Sequence, residues 1–435
     1  MFMTAEKLLE LARKKGIKDV EVYQVESVSR PIVFSANRLK QMESSQVSGI
    51  ALRLWYEGKS GLAVAYGEAP GEELIDKAIS VAQCKEEEEE VLLNERNCLV
   101  YNSLQEDLPL ATKDEQVINQ CRQAIEKILN YYPEAIVGIE AEWEKETTTL
   151  VNSRGLYCQQ TDLSYSVSMG VELVRDENFL GVYDGEYARH LVSLQGTTNR
   201  ILERLSWAKE NKWGIKGILP VLFTPNGAVT LWETVSSALN GKLVLEKSSP
   251  WSDRLGEQVL SSLITLSQKP DFQPYDCPFD DEGTPTQPLT LIDRGVLNCF
   301  YTDKKTAKLL KINNTGNGFR PSLANYPSPD LVNLVVAAGD KSFEELAAGM
   351  EYGIVVDQVL GGGADISGDF SVNLDLGYLV REGEIVARLK DTMLTGNVYQ
   401  CLQEVVALGN DSRWVGSCYT PSILVEGLSV VSENR

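Results

Sequence analysis

The chain has 435 residues, 43% of them apolar and 24% charged, which is long enough for two to three domains with sizeable cores and too apolar for a disordered segment. Forty-one basic residues against 62 acidic ones leave a net charge of −21, a field that repels nucleic acid and anionic lipid and argues against either as a direct partner. No apolar run is long enough to cross a bilayer, and Met1 to Lys7 turns at once into an amphipathic pattern with no apolar signal core, so the expected location is the cytoplasm.

A helix is predicted over 4–16, with Leu8, Leu9, Leu11 and Ala12 on its buried side and Gly16 as its stop. From Asp19 the period changes to the alternation of strands. Val20 and Val22, Ile32 to Phe34, Ile50 to Trp55 and Leu62 to Ala65 make an antiparallel meander, with Glu57 and Gly58 opening a hairpin turn. A second helix spans 70–83. Lys85 to Glu90 is a charge run, most simply a solvated connector, because a flexible acidic run lacks the fixed geometry of a cation site. Thr112 to Glu115 forms a capping box for a long helix that Pro133 ends, and β segments follow from Ile136 to Asn152 and from Tyr157 to Glu172. A helix over 201–211 closes a first domain, 1–212, and the stretch 213–217 is read as the hinge into a second, 213–435. Helices on one face of a largely antiparallel sheet, followed by a β-rich domain with a few helices, make an α+β chain.

The second domain opens on a buried strand, Leu219 to Phe223, and a core helix. Thr224 is its N-cap, Pro225 its first helical residue, Gly241 its expected left-handed stop, and Ala228, Leu231, Trp232, Val235 and Leu239 form one apolar stripe. Beyond it a short helix is expected after Ser252, then strands and turns, a glycine-rich turn from Gly361 to Ser371, strands at 376–380 and 384–389, a helix near 398–408 and a last strand near Ile423 to Val425. The eight cysteines are scattered with no C-x-x-C pair, so they suggest neither a zinc knuckle nor a disulfide framework. The one histidine, His190, has no nucleophile-elbow G-x-S-x-G beside it, which leaves a serine or cysteine hydrolase without its usual signature. The Gly361 to Asp369 turn lacks both a phosphate-loop pattern and the ligand ladder of an EF-hand, so it is read as a close-approach backbone turn.

Phe279 to Pro285 with Leu291 to Leu297, then Thr315-Gly316-Asn317, then the Gly361 to Ser371 turn, then Ala407 to Asp411 and Gly416-Ser417-Cys418 resemble, in this order and spacing, the TldD/PmbA family of metallopeptidases, the "modulators of DNA gyrase". The resemblance is thin before about residue 210 and dense after it. In TldD-type members the core helix carries His-Glu-x-x-x-His. Here Trp232 and Ser237 stand at the two histidine positions and Glu233 alone is kept, so the chain resembles the PmbA (TldE) type.

That resemblance implies a two-domain chain that dimerises around a proteolytic chamber, either with a TldD-like paralogue or with itself. The substrates it implies are unfolded or extended peptides, leader peptides among them. Zinc is expected in the TldD-like partner, and no cofactor in this chain. The third zinc ligand of the TldD type is a cysteine near the C-terminus, and Cys418 occupies a similar place. A catalytic zinc needs three protein ligands, an open position for water and commonly a nearby carboxylate base. Trp232, Glu233 and Ser237 are therefore read as vestigial-site positions with no catalytic residue expected, and Cys418 as a packed thiol; the competing reading is a peptidase active by itself through a metal held by Glu233, Cys418 and further carboxylates.

Overall fold

The structure is a computed structural model that describes residues 3–68, 70–86, 88–102, 110–175, 178–361 and 363–432; the side chains of 110–113 and 175 also lie outside the described set. The first domain runs α1 (Ala5–Lys14), β1 (Asp19–Ser35), β2 (Arg38–Met42), β3 (Ser45–Tyr56), β4 (Lys59–Tyr66), α2 (Gly71–Cys84), β5 (Cys98–Asn102), α3 (Leu110–Tyr131), β6 (Ile136–Asn152), β7 (Tyr157–Arg175), β8 (Asn178–Ala188) and α4 (Leu194–Trp207). Its sheet has the order β4-β3-β1-β6-β7-β5, with β2 paired to β1 and β8 to β7. All pairings are antiparallel except β5 with β7.

Side chains alternate across a strand, so β1 has two chemically distinct faces. Val20 and Val22 are buried in the cluster that holds α1 and α2, and Ile32 and Phe34 in the cluster that holds α3 and α4, so all four helices cover one face. Gln24 on this face accepts from the free Ala5 N–H at the start of α1, at 2.7 Å. On the opposite face Glu21 and Tyr23 meet the second domain.

The second domain runs β9 (Asn211–Lys212), β10 (Lys216–Phe223), α5 (Pro225–Leu239), α6 (Gly241–Leu245), β11 (Leu266–Gln268), β12 (Leu289–Asp293), β13 (Val296–Leu297), α7 (Lys304–Leu310), β14 (Gly318–Phe319), β15 (Ser328–Pro329), β16 (Leu334–Val336) and α8 (Phe343–Ala348). It continues with β17 (Tyr352–Leu360), β18 (Asp369–Arg381), β19 (Glu384–Leu389), β20 (Thr392–Asn397), α9 (Val398–Gln403), β21 (Val405–Leu408), β22 (Arg413–Val415), β23 (Cys418–Thr420) and β24 (Ile423–Ser432). One sheet, β17-β10-β24-β20-β18-β19-β9, curls so that β17 also pairs with β18; a second has the order β13-β12-β11-β16-β23-β22. α5 lies in the core of this domain, with Trp232, Val235 and Leu239 in one buried cluster with strands of both sheets.

Several local expectations differ from the structure: the helix expected over 201–211 is α4, Leu194–Trp207, because Ser193 caps it upstream and Asn211–Lys212 pairs with β19 instead. Gly241 is not a left-handed stop: Asn240 ends α5 with extended backbone (φ −71°, ψ 116°) and its side chain caps α6, which begins at Gly241 itself. Glycine is needed there for space, since a Cβ would meet the Thr302 methyl at 2.6 Å and the Tyr301 carbonyl at 2.8 Å. Residues 250–256 form turns, not a helix, and the helix expected over 398–408 stops at Gln403, because Val405–Leu408 pairs with β24 instead. α3 starts at Leu110, upstream of the expected cap at Thr112, whose side chain lies outside the described set.

The charge run at 85–90, of which Glu87 lies outside the described residues, is more than a connector. Glu89 accepts from Arg53 at 3.0 Å and from Ser60, and Glu90 pairs with Lys308 of α7.

Candidate functional site

α5 is set by its first turn. Thr224 Oγ1 accepts from the Gly227 N–H at 3.3 Å, and Pro225 follows at the position where a missing N–H costs nothing. The apolar stripe read from the sequence is buried throughout, and Trp232 is 1% exposed. Its indole N–H donates to Thr420 Oγ1 on β23 at 2.8 Å, and that hydroxyl in turn donates to the Pro421 carbonyl at 3.1 Å. Ser237, one turn further on, donates back to the Glu233 carbonyl at 3.0 Å. Glu233 is exposed.

Cys418 lies on β23, opposite Val415 of β22. Burial pushes its thiol up to about 12, and the charge of the nearby Glu233 carboxylate adds to the rise. Glu233 and Cys418, 185 positions apart by their numbers, are thus brought together at one edge of α5. The Gly361 to Ser371 turn, of which Gly362 lies outside the described residues, passes over the neighbouring face of the helix. Thr234 donates to the Ala364 carbonyl at 3.2 Å, and a Cβ on Gly363 would lie 2.9 Å from the Thr230 methyl. Close approach is the reason for glycine there.

These side chains do not fit a three-ligand zinc ion. An indole N–H is a donor with no lone pair to offer, the Ser237 hydroxyl is spent within the helix, and a buried thiol held protonated is a poor ligand. Among the described residues no group of three His, Cys, Asp or Glu side chains converges in a way that could hold a metal ion.

Beside this edge a groove separates the two domains. On β22 and β23 Arg413 pairs with Thr420 and Trp414 with Tyr419; Arg413, Trp414 and Tyr419 all reach the groove, and Arg413 also donates to Asn226 at the start of α5 at 2.7 Å. Trp414 packs at 4.9 Å from Tyr275 and 5.1 Å from Tyr419, and Tyr275 stacks at 5.0 Å on Tyr187 from the first domain. The groove holds a cavity of about 360 Å³ lined by Tyr187, His190, Arg200, Arg413, Trp414 and Tyr419, and a second of about 250 Å³ that shares Tyr187, Arg189 and Pro274 with it. His190, unassigned by the sequence, is exposed at this wall. β8 and β22, which border the groove, each pair on one side only among the described residues.

Under the groove floor lies an ionic network that sequence reasoning missed. Asp184 accepts from Arg200 at 2.8 and 3.1 Å and from Arg204; Arg204 donates to Asp357 at 2.9 Å, and Asp357 accepts from Thr224, the cap of α5, at 2.7 Å. The guanidinium partners hold the Asp184 carboxyl below its ordinary range although burial acts to raise it. No spacing signal links residues 184, 204 and 357.

The chain is an α+β protein whose β-rich second domain curls around a capped core helix, with a groove beside it. The sequence model of the PmbA/TldA metallopeptidase C-terminal domain matches residues 216–432, and that of PmbA/TldA metallopeptidase domain 1 matches residues 20–82. The chain belongs to the PmbA/TldD metallopeptidase family. It is 30% identical over 221 residues to a "Metalloprotease TldD homolog" of Buchnera aphidicola, a match that spans 48% of this chain and 46% of that relative. With a metalloprotease of Methanocaldococcus jannaschii it shares 27% identity over 95% of its own length and 93% of the relative's. The crystal structure of TldE from Thermococcus kodakarensis has the same fold, with a TM-score of 0.87 at 21% identity, covering 98% of this chain and 99% of that one.

Proposed function

We propose that this chain is the PmbA/TldE-like, non-catalytic subunit of a TldD/PmbA-type metallopeptidase system acting on unfolded or leader peptides in the cytoplasm. It assembles with a TldD-like paralogue that carries the zinc, or with itself, and helps to hold extended substrate; nucleic acid and membrane are not its partners. The observation that carries the proposal is the Trp232 indole, buried and bonded to Thr420 where a TldD-type member has its first histidine. Glu233 then keeps its place without a metal-bound water to activate, and a carboxylate alone does little to lower the pKa of water. The aromatic groove between the domains supports the substrate-holding part.

Metal content by plasma mass spectrometry, with peptidase assays of the chain alone and mixed with a paralogue that has His-Glu-x-x-x-His, tests the proposal. The chain alone should carry no stoichiometric zinc and cut no peptide, and the mixture should exceed the paralogue alone. Stoichiometric zinc with unaided cleavage would establish the competing reading, a peptidase active by itself, to which the meeting of Glu233 and Cys418 lends its one structural argument.

A further inference from the structure

We propose that the groove between the domains binds the free C-terminal carboxylate of an extended peptide on the Arg413 guanidinium, with Trp414 and Tyr419 flanking the last side chain. This rests on the substrate-holding reading above and adds to it a direction and a register.

Hydrogen-bond capacity points to Arg413. A guanidinium has five N–H donors. In Arg413 one Nη2 bond goes to the neutral Asn226 Oδ1 at 2.7 Å, while Nη1 stands 3.6 Å from Asp184 Oδ1, beyond hydrogen-bond reach. Asp184 is held instead by Arg200 and Arg204, which make the three hydrogen bonds to its two oxygens. The side chain of Arg413 is 22% exposed and lines the 360 Å³ cavity, so its spare donors can meet a ligand.

Local charge leaves room for one anion at Arg413 alone: Arg200, Arg204 and Arg413 stand with the buried carboxylates of Asp184 and Asp357 and the rim carboxylate of Glu186, and of the three guanidiniums Arg413 stands farthest from its nearest carboxylate. Glu186, 3.7 Å from Arg200, is 42% exposed at the rim, where water screens it. Burial, together with the like charges of Arg200 and Arg204, holds the Arg413 pKa below its ordinary value, and an anion docking there would offset the like charges. A planar, two-pronged donor matches a carboxylate, and the Trp414 and Tyr419 rings beside it supply the apolar surface that a peptide's terminal side chain can cover. A cavity of this volume lies in the range of small-ligand sites. In a chain of net charge −21 a single under-used guanidinium beside aromatic rings suits one carboxylate rather than an acidic tract.

The test uses the full chain and an unstructured ten-residue peptide free of Asp and Glu, with a neutral N-terminal fluorophore, prepared as the free acid and as the C-terminal amide. Fluorescence anisotropy should give the free acid at least about tenfold tighter binding, the discrimination expected of a charge-assisted hydrogen bond. Arg413→Gln should bring the acid down to the level of the amide, and Trp414→Ala should weaken both forms alike. Equal affinity for acid and amide in the unmodified chain overturns the carboxylate site while leaving peptide holding in place, and it does so whether or not any variant folds. An acid preference that survives in a folded Arg413→Gln chain also overturns it. If neither form binds, alone or with the paralogue present, the substrate-holding reading falls as well.

Discussion

Trp232 and Cys418 show how two side chains at one helix edge can have opposite fates from the same burial. The indole gains a partner in Thr420, so its N–H is satisfied and its rings fill the core. Truncation in Trp232→Ala would leave a cavity and remove the donor to Thr420 Oγ1, and is expected to cost about 3–5 kcal/mol of stability by urea unfolding. Trp232→Phe should cost clearly less, because most of the buried area stays. The Cys418 thiol is kept protonated by burial and by Glu233, and a thiol must ionise to react. Iodoacetamide at pH 8 should therefore label the exposed Cys84 and Cys98 in the native chain and spare Cys418 until denaturant is added. Prompt labelling of Cys418 in the native state would show an accessible thiolate and reopen its candidacy as a ligand. Glu233 differs from both in being exposed and off the apolar stripe. Glu233→Gln should leave stability unchanged and, in the mixture with the paralogue, leave peptide cleavage unchanged; if Glu233 were the base of a working site the loss would be about 10²–10⁴-fold.

At the scale of elements, the loop Phe279 to Pro285 is the joint between the domains. Asp280 accepts from the backbone N–H groups of Glu282 at 3.0 Å, Thr284 at 2.8 Å and Gly318 at 2.9 Å, and Asp281 accepts from the Tyr23 hydroxyl at 2.9 Å. Burial pushes the Asp280 and Glu282 carboxyls up, each in the field of its neighbours, and burial with the charge of Glu144 pushes Glu146 up to about 7. Unfolded carboxyls release their protons near pH 4, whereas these keep theirs in the folded chain. Between about pH 4 and pH 7 the folded state therefore binds more protons than the unfolded one, and stability falls as pH rises. Asp184, with its pKa lowered, acts in the opposite sense, but only as pH falls through the acid range. Urea midpoints should decline from pH 5 to pH 7.5, and Glu282→Gln, which keeps the oxygen that accepts from the Lys304 N–H at 3.0 Å, should flatten the decline. A slope unchanged in that variant would place the protons elsewhere.

The same loop marks the limit of what the sequence discloses. Periodicity and caps located α1, α2, the long hairpins and α5, since each is fixed by neighbours in the chain. The Phe279 to Pro285 motif was visible as a family feature, but its role was not, because the groups it meets, Tyr23 and the backbone near Gly318, are distant in sequence. α9 was overextended because Val405 to Leu408 has helical spacing too, and only pairing with β24 decides for a strand. The places of Trp232, Glu233 and Ser237 on α5 could be read directly. The Arg413 groove could not, since it draws on β8, α4 and β22.

Across the whole molecule the two domains are joined through a continuous interior. Leu222, Val355 and Tyr378 of the second domain share one buried cluster with Ile32, Val137 and Ile201 of the first. Two buried ionic contacts flank this interface: Arg320 donates to Glu21 at 2.9 Å, and Arg204 spans Asp184 and Asp357 while its carbonyl accepts from the Tyr378 hydroxyl at 3.2 Å. An apolar interior common to both halves couples their stabilities, because neither can open without exposing the other's surface. A single calorimetric transition is expected, although the chain is of a size that often unfolds in steps. Arg204→Met removes the charge that serves two buried carboxylates and should cost about 3–5 kcal/mol, since each acid is then left short of a partner. Combining it with Asp357→Asn should cost less than the sum of the two single changes, because the second substitution removes a charge that the first has stranded. The loss should also reach the N-cap of α5, as Asp357 is the acceptor for the Thr224 hydroxyl, and amide exchange at Gly227 and Ala228 would report it. Two resolved transitions in the unmodified chain would sink the shared-core account, and additive costs in the double variant would show that Arg204 and Asp357 act independently.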